Sequence, residues 1–131
     1  MLRIVAIALF GLMFLAEVGD IYGLLLTLAD PAPAAGRFGI AVEAEIVRSG
    51  VLLALALVVA FGALLAVVGL LSRRPVLFHR SALTCALGYF VYGLFQIVDG
   101  ALQVGSAIVV VAGFIYIVLG GLAYAMHRSA I

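Results

Sequence analysis

Residues 49–71 read SGVLLALALVVAFGALLAVVGLL, 23 consecutive positions without an ionisable side chain. At about 1.5 Å of rise per residue, a helix of that length matches the roughly 30 Å of hydrocarbon in a bilayer. Arg48 precedes the run and Ser72-Arg73-Arg74-Pro75 ends it, so charge sits at both of its edges. Three more apolar stretches surround it. One runs from about Ile4 to Leu28 and stops at the breaker Asp30-Pro31-Ala32-Pro33; the others run from about Ser81 to Leu102 and from about Ser106 to Met126. The central helix starts earlier than its apolar run, so the predicted spans cover residues 4–28, 43–71, 81–102 and 106–126 of a single domain. The very short loop between the last two makes them an antiparallel hairpin.

Composition supports the same reading. Of 131 residues, 68% are hydrophobic and 10% charged, whereas a soluble domain is about half apolar and a quarter charged. The expected fold class is therefore all-α integral membrane, a four-transmembrane-helix antiparallel bundle. Ala32-Pro33-Ala34 has the small-x-small form of a cleavage site, but the apolar stretch before it is longer than a signal peptide's core and carries two carboxylates, so it reads as a span. Cys85 is the single cysteine, which excludes an intramolecular disulfide and a thiolate metal site. The chain carries no nucleotide-binding or zinc-protease motif, and we expect no cofactor, no metal and no nucleic-acid partner.

Charge gives direction. All seven cationic residues are arginines, and five of them (Arg3, Arg73, Arg74, Arg80, Arg128) fall at the N-terminus, the loop between spans two and three, and the C-terminus. In a four-span chain these places share one side, which the positive-inside rule makes the cytoplasm, giving both termini inside a bacterial inner membrane. The six acids, Glu17, Asp20, Asp30, Glu43, Glu45 and Asp99, lie in the opposite half or beyond it. That outer half is where a site is expected. His79 and His127 fall at the arginine-bearing boundary, where basic imidazoles accompany lipid headgroups.

Helical spacing collects the polar groups into a layer. Measured from the inner edge, Glu17 and Asp20 stand about 20 and 24 Å up span one, and Tyr92, Gln96 and Asp99 stand about 17, 23 and 27 Å up span three. Tyr89, Tyr92, Gln96, Asp99 and Gln103 share one stripe. Arg48 lies just beyond the core, where its side chain can bend toward Asp99. Gly19-x-x-x-Gly23 with Ala16 on span one, and Gly113 and Gly120 with Tyr116, Tyr124 and His127 on span four, are small-residue faces suited to close helix packing. Spans one, three and four are thus expected to converge, leaving the uniformly apolar span two against lipid.

Two carboxyls in one span, each costing up to about 3 kcal/mol at mid-membrane, call for a compensating role. Glu17 and Asp20 are interhelical glue to Gln96, Tyr92 or Tyr116, or they form a proton or cation site, or they contact the helix of a partner. Arg48 with Asp99 reads as an interfacial ion pair or as a gate. Glu43, Glu45 and Asp30 read as surface carboxylates.

The phrase Leu15-Ala16-Glu17-Val18, in the first of four short spans, resembles the small multidrug resistance exporters, a likeness that implies proton and cation binding at Glu17. Across residues 42–102, Arg48-Ser49-Gly50, the basic loop and Asp99-Gly100 are similar to an uncharacterised family of bacterial four-helix inner-membrane proteins, which implies no activity. The functional expectation is a non-enzymatic subunit or scaffold in the lipid bilayer. It would pack as a homo-oligomer or in a larger membrane complex through its small-residue faces. The alternative is a small proton-linked or cation transporter built on Glu17, Asp20, Tyr92, Gln96, Asp99 and Arg48.

Overall fold

The computed structural model describes residues 1–129 and holds five helices among them: α1 (Leu2–Ala29), α2 (Ala32–Phe38), α3 (Val42–Leu71), α4 (Pro75–Leu102) and α5 (Ala107–Arg128). All but α2 are long and apolar enough to cross a membrane. Large apolar side chains such as Leu12, Leu15, Phe61, Leu102, Ile108 and Val118 stand exposed on their outer faces. Such a surface suits lipid and is untenable in water.

Two boundaries differ from the sequence reading. The Pro31–Pro33 breaker does end α1, but the chain then winds into the short helix α2, since proline is well tolerated in a first turn where its missing N–H has no partner to lose. Helix α4 begins at Pro75 for the same reason, six residues before the predicted start at Ser81, and it carries His79 and Arg80 on helix rather than in a loop. Between α3 and α4, the N–H of Arg74 donates to the Gly69 carbonyl (2.8 Å) and that of Arg73 to the Leu70 carbonyl (3.4 Å). This is a Schellman cap. Its left-handed position, normally glycine, is Arg73 at φ 55°, at a cost of about 1 kcal/mol.

Helix packing follows two seven-residue rhythms. Along α3, Gly62 and Gly69 meet Cys85 and Phe78 of α4, and a Cβ on either glycine would lie 3.0 or 2.6 Å from the partner's backbone nitrogen. Seven residues before Gly62, Leu55 packs in the cluster that holds Tyr92, and seven before that Arg48 meets Asp99. Along α4 and α5 the partners are His79 with His127, Ala86 with Gly120, Gly93 with Gly113, and Gly100 with Ser106. A Cβ on Gly93 would fall 2.6 Å from the Gly113 carbonyl oxygen, and the reverse holds equally. A heptad of small residues lets backbones touch along a shallow crossing.

Span two is therefore not the lipid-facing one. Helix α3 is more deeply buried than α1 or α5, because it packs against both α1 and α4. Its small residues Ala56, Ala60, Gly62, Ala63, Ala66 and Gly69 face inward, while Leu57, Val58, Phe61, Leu64, Leu65 and Val68 face outward. Helix α1 neighbours α3 and reaches α4 and α5 through long side chains, as where Phe10 meets Phe78 edge to face at 5.8 Å. Gly19 and Gly23, expected to pack, are exposed, and a Cβ on either would meet nothing within 4 Å. They lie on the side of α1 turned away from α3.

Candidate functional site

The half of the molecule nearest the chain termini has an apolar core of Ala6, Phe10, Ala63, Ala66, Phe78, Ala82, Cys85 and Ala86. Cys85 is wholly buried there as a packing residue against Gly62. Beyond this core the interior becomes polar. Glu17, on the inward face of α1, is 0% exposed, and neither of its carboxyl oxygens has a hydrogen-bond partner. The buried Tyr89 hydroxyl, beside it on α4, also lacks one. One turn along α1, Asp20 accepts a 2.5 Å hydrogen bond from the hydroxyl of Tyr116 on α5. The Tyr116 ring lies between Tyr89 (5.6 Å, stacked) and Tyr92 (4.3 Å, tilted).

These side chains meet for reasons legible in the helices. Tyr89, Tyr92, Gln96 and Asp99 recur at spacings of three and four, so they descend one face of α4 over about 15 Å. The close α4–α5 approach at Gly93 and Gly113 brings Tyr116, one turn beyond Gly113, against that face. Gln96 is half-buried, with its Oε1 enclosed and without a partner.

At the α2 end the column closes on an ion-pair cluster. Arg48 Nε donates to Asp99 Oδ2 at 2.5 Å, and its Nη1 stands 3.4 Å from Glu45 Oε1, which also accepts from Ser49 at 3.0 Å. All four side chains are buried. The guanidinium lies 4.7 Å from the centre of the Phe38 ring, so α2 covers the cluster by a cation–π contact. Asp99 keeps one enclosed oxygen, Oδ1, unpartnered.

The structure thus brings Glu17, Asp20, Tyr92, Gln96, Asp99 and Arg48 into one half of the interior. It corrects Glu45, which is 1% exposed and not a surface carboxylate. The signal was its spacing, three before Arg48 and four before Ser49 on one helical face. Gln103, expected on the polar stripe, is exposed, as is Tyr124 on α5. Tyr116 is one of the partners expected for the carboxyls of α1, and it meets Asp20; the place of Tyr89 beside Glu17 does not follow from its spacing on α4 alone. His79 and His127 are paired across α4 and α5: each Nδ1 lies 2.7 Å from the other's backbone carbonyl oxygen, which makes both Nδ1 atoms donors.

The arrangement has the chemistry of proton exchange: carboxyls that gain or lose a proton, and hydroxyls that donate and accept. An ionised Glu17 would stand in this enclosure with no cation among the described residues paired to it and only the Tyr89 hydroxyl beside it as a donor, at a cost of several kcal/mol. Among the described residues no group of three or more His, Cys, Asp or Glu side chains is disposed to hold a metal ion. Comparisons with models of protein families, with curated proteins and with solved structures find no match to this chain.

Proposed function

We propose that the chain is a small non-enzymatic subunit of a bacterial inner membrane, crossing it four times as an antiparallel bundle with both termini cytoplasmic, and that its core binds a proton taken up from the α2 side. The observation that carries this reading is Glu17, fully enclosed with both carboxyl oxygens unpartnered, at the inner end of a polar column that reaches the α2 end and goes no further. Burial of an ionisable group at mid-membrane is expensive, and where it is kept it marks a functional site.

The same column favours a subunit over a self-sufficient transporter. A proton leaving Glu17 toward the chain termini would have to cross the layer of Phe10, Phe78, Cys85 and Ala86, which offers no relay. Through-flux therefore needs a second copy or a larger partner. The outward side of α1, with Gly19 and Gly23 unoccupied, supports packing against either.

The test is infrared spectroscopy of the protein in vesicles, which reads a protonated carboxyl by its C=O stretch in an apolar setting. The parent protein is expected to show that band, and Glu17→Gln to lose it with helix content unchanged. A spectrum unaffected by Glu17→Gln would overturn the proton site. Proton flux by the purified parent protein, abolished in Glu17→Gln, would replace the subunit with the transporter.

A further inference from the structure

At the end of the molecule that holds the chain termini, a cleft of about 290 Å³ opens between α1 and the α3–α4 turn. Arg3, Arg73 and Arg74 line it over a floor that includes Gly69, Pro75 and Phe78. Among the described residues no Asp or Glu lines the cleft, and Arg3, Arg73 and Arg74 are its charged lining. Of the carbonyls that end α3, one engages one of these guanidiniums. The Leu70 oxygen already accepts from Arg73 N–H and from the Arg3 guanidinium, and the Gly69 oxygen from Arg74 N–H. The positive end of α4 and the negative end of α3 meet at this turn and offset one another, so the charge of the cleft is that of its arginines.

Arg73 itself is the second pointer. It occupies the left-handed cap position at φ 55°, where glycine would close the same turn without strain. A side chain held at such a position at a cost to the turn points to a use outside it.

We propose that this cleft binds the phosphate group of an anionic phospholipid, with the guanidiniums on the phosphate oxygens and the glycerol and first acyl carbons against the exposed ring of Pro75. Arginine matches phosphate by paired, charge-assisted hydrogen bonds, and a floor that is apolar but ringed with cations suits a lipid better than a free anion. The inference rests on the membrane reading above, with this end at the headgroup layer, and is independent of the proton site.

The experiment is native mass spectrometry of the full chain released from micelles holding equal amounts of phosphatidylglycerol and phosphatidylcholine. Phosphatidylglycerol is expected to be retained preferentially, and each cleft guanidinium removed is expected to lower that preference about fivefold. Arg73→Gly is the decisive variant, since it keeps the turn: its thermal midpoint should hold or rise while the preference falls. Arg80→Gln is the control, an arginine at the same end but outside the cleft, and it should leave the preference unchanged. Equal retention of the two lipids, or an equal loss in Arg80→Gln and Arg73→Gly, would overturn the site in favour of diffuse charge attraction. Displacement of the lipid by millimolar inorganic phosphate would overturn it in favour of a free-anion site. A chain that stays soluble without detergent would overturn the membrane reading and this inference together.

Discussion

The two ends of the α3–α4 seam are built on one seven-residue rhythm and come out differently. Toward the chain termini, Gly69 and Gly62 press backbone against Phe78 and Cys85. Toward α2, the next positions are Leu55 and Arg48, facing Tyr92 and Asp99, and contact is made through side chains instead. The tight end has no room for a polar group and needs none. The side-chain-mediated end has room for tyrosines and carboxyls and must satisfy them, which it does for Arg48, Glu45 and Asp20, in part for Asp99, and not for Glu17, the Tyr89 hydroxyl or Gln96 Oε1. Glycine placement along α3 therefore decides where polar chemistry can sit, and the polar residues of α1 and α4 fill the space left over.

The comparison breaks most severely at Arg48. Replacing it with Met would leave Glu45 and Asp99 buried without their cation, at an expected cost of about 3–5 kcal/mol, read as a lowered unfolding midpoint in detergent. Asp99→Asn should cost clearly less, because Glu45 remains beside the guanidinium. Equal losses in the two variants would mean that Glu45 contributes nothing to holding Arg48.

Next in size are the glycines of the tight seams. Gly69→Ala and Gly93→Ala each place a Cβ 2.6 Å from backbone atoms of the neighbouring helix, the Phe78 nitrogen and the Gly113 oxygen. Neither neighbour can turn away, so the helices must separate, at about 1–3 kcal/mol. A neutral Gly69→Ala would remove the basis for contrasting the two ends. Smaller again is Tyr116→Phe, which deletes the hydroxyl donor to Asp20 and should cost about 1 kcal/mol, with Glu17→Gln adding little because Glu17 has no partner to lose.

Much of this was legible in the sequence. Apolar run lengths located the four long helices, and three-and-four spacing on α4 placed Tyr89, Tyr92, Gln96 and Asp99 on one face. The rank order of burial was not, because hydropathy measures preference for lipid, and lipid is as apolar as the protein interior. Uniformly apolar α3 looked like the outermost span for that reason. Residue size carried the missing information: most of the buried positions of α3 are small, most of its exposed ones are large, and its glycines at 62 and 69 share the seven-residue step seen in α4 and α5. The same blindness affected Gly19 and Gly23, since a GxxxG stripe states that a backbone can be approached, not by which helix. The pairing of His79 with His127 lay in that step too, with Ala86, Gly93, Gly113 and Gly120 between them.

Gly19 and Gly23 supply the smallest effect on the isolated chain and the sharpest on what it joins. A Cβ on either meets no atom of the protein within 4 Å, so Gly19→Ala with Gly23→Ala should leave the folded monomer intact and raise α1 stability slightly, by up to about 1 kcal/mol per site from helix propensity alone. Replacing both with Leu would leave the monomer as stable but would block any helix that packs against this side. Mild-detergent purification separates the cases. Loss of an oligomer or of a co-purifying partner in the Leu variant, with an unchanged monomer midpoint, is the result expected if α1 docks through these glycines. If the assembly is unaffected, the exposed glycines face lipid, and the partner that completes the polar column must approach through α5 or through the α2 end.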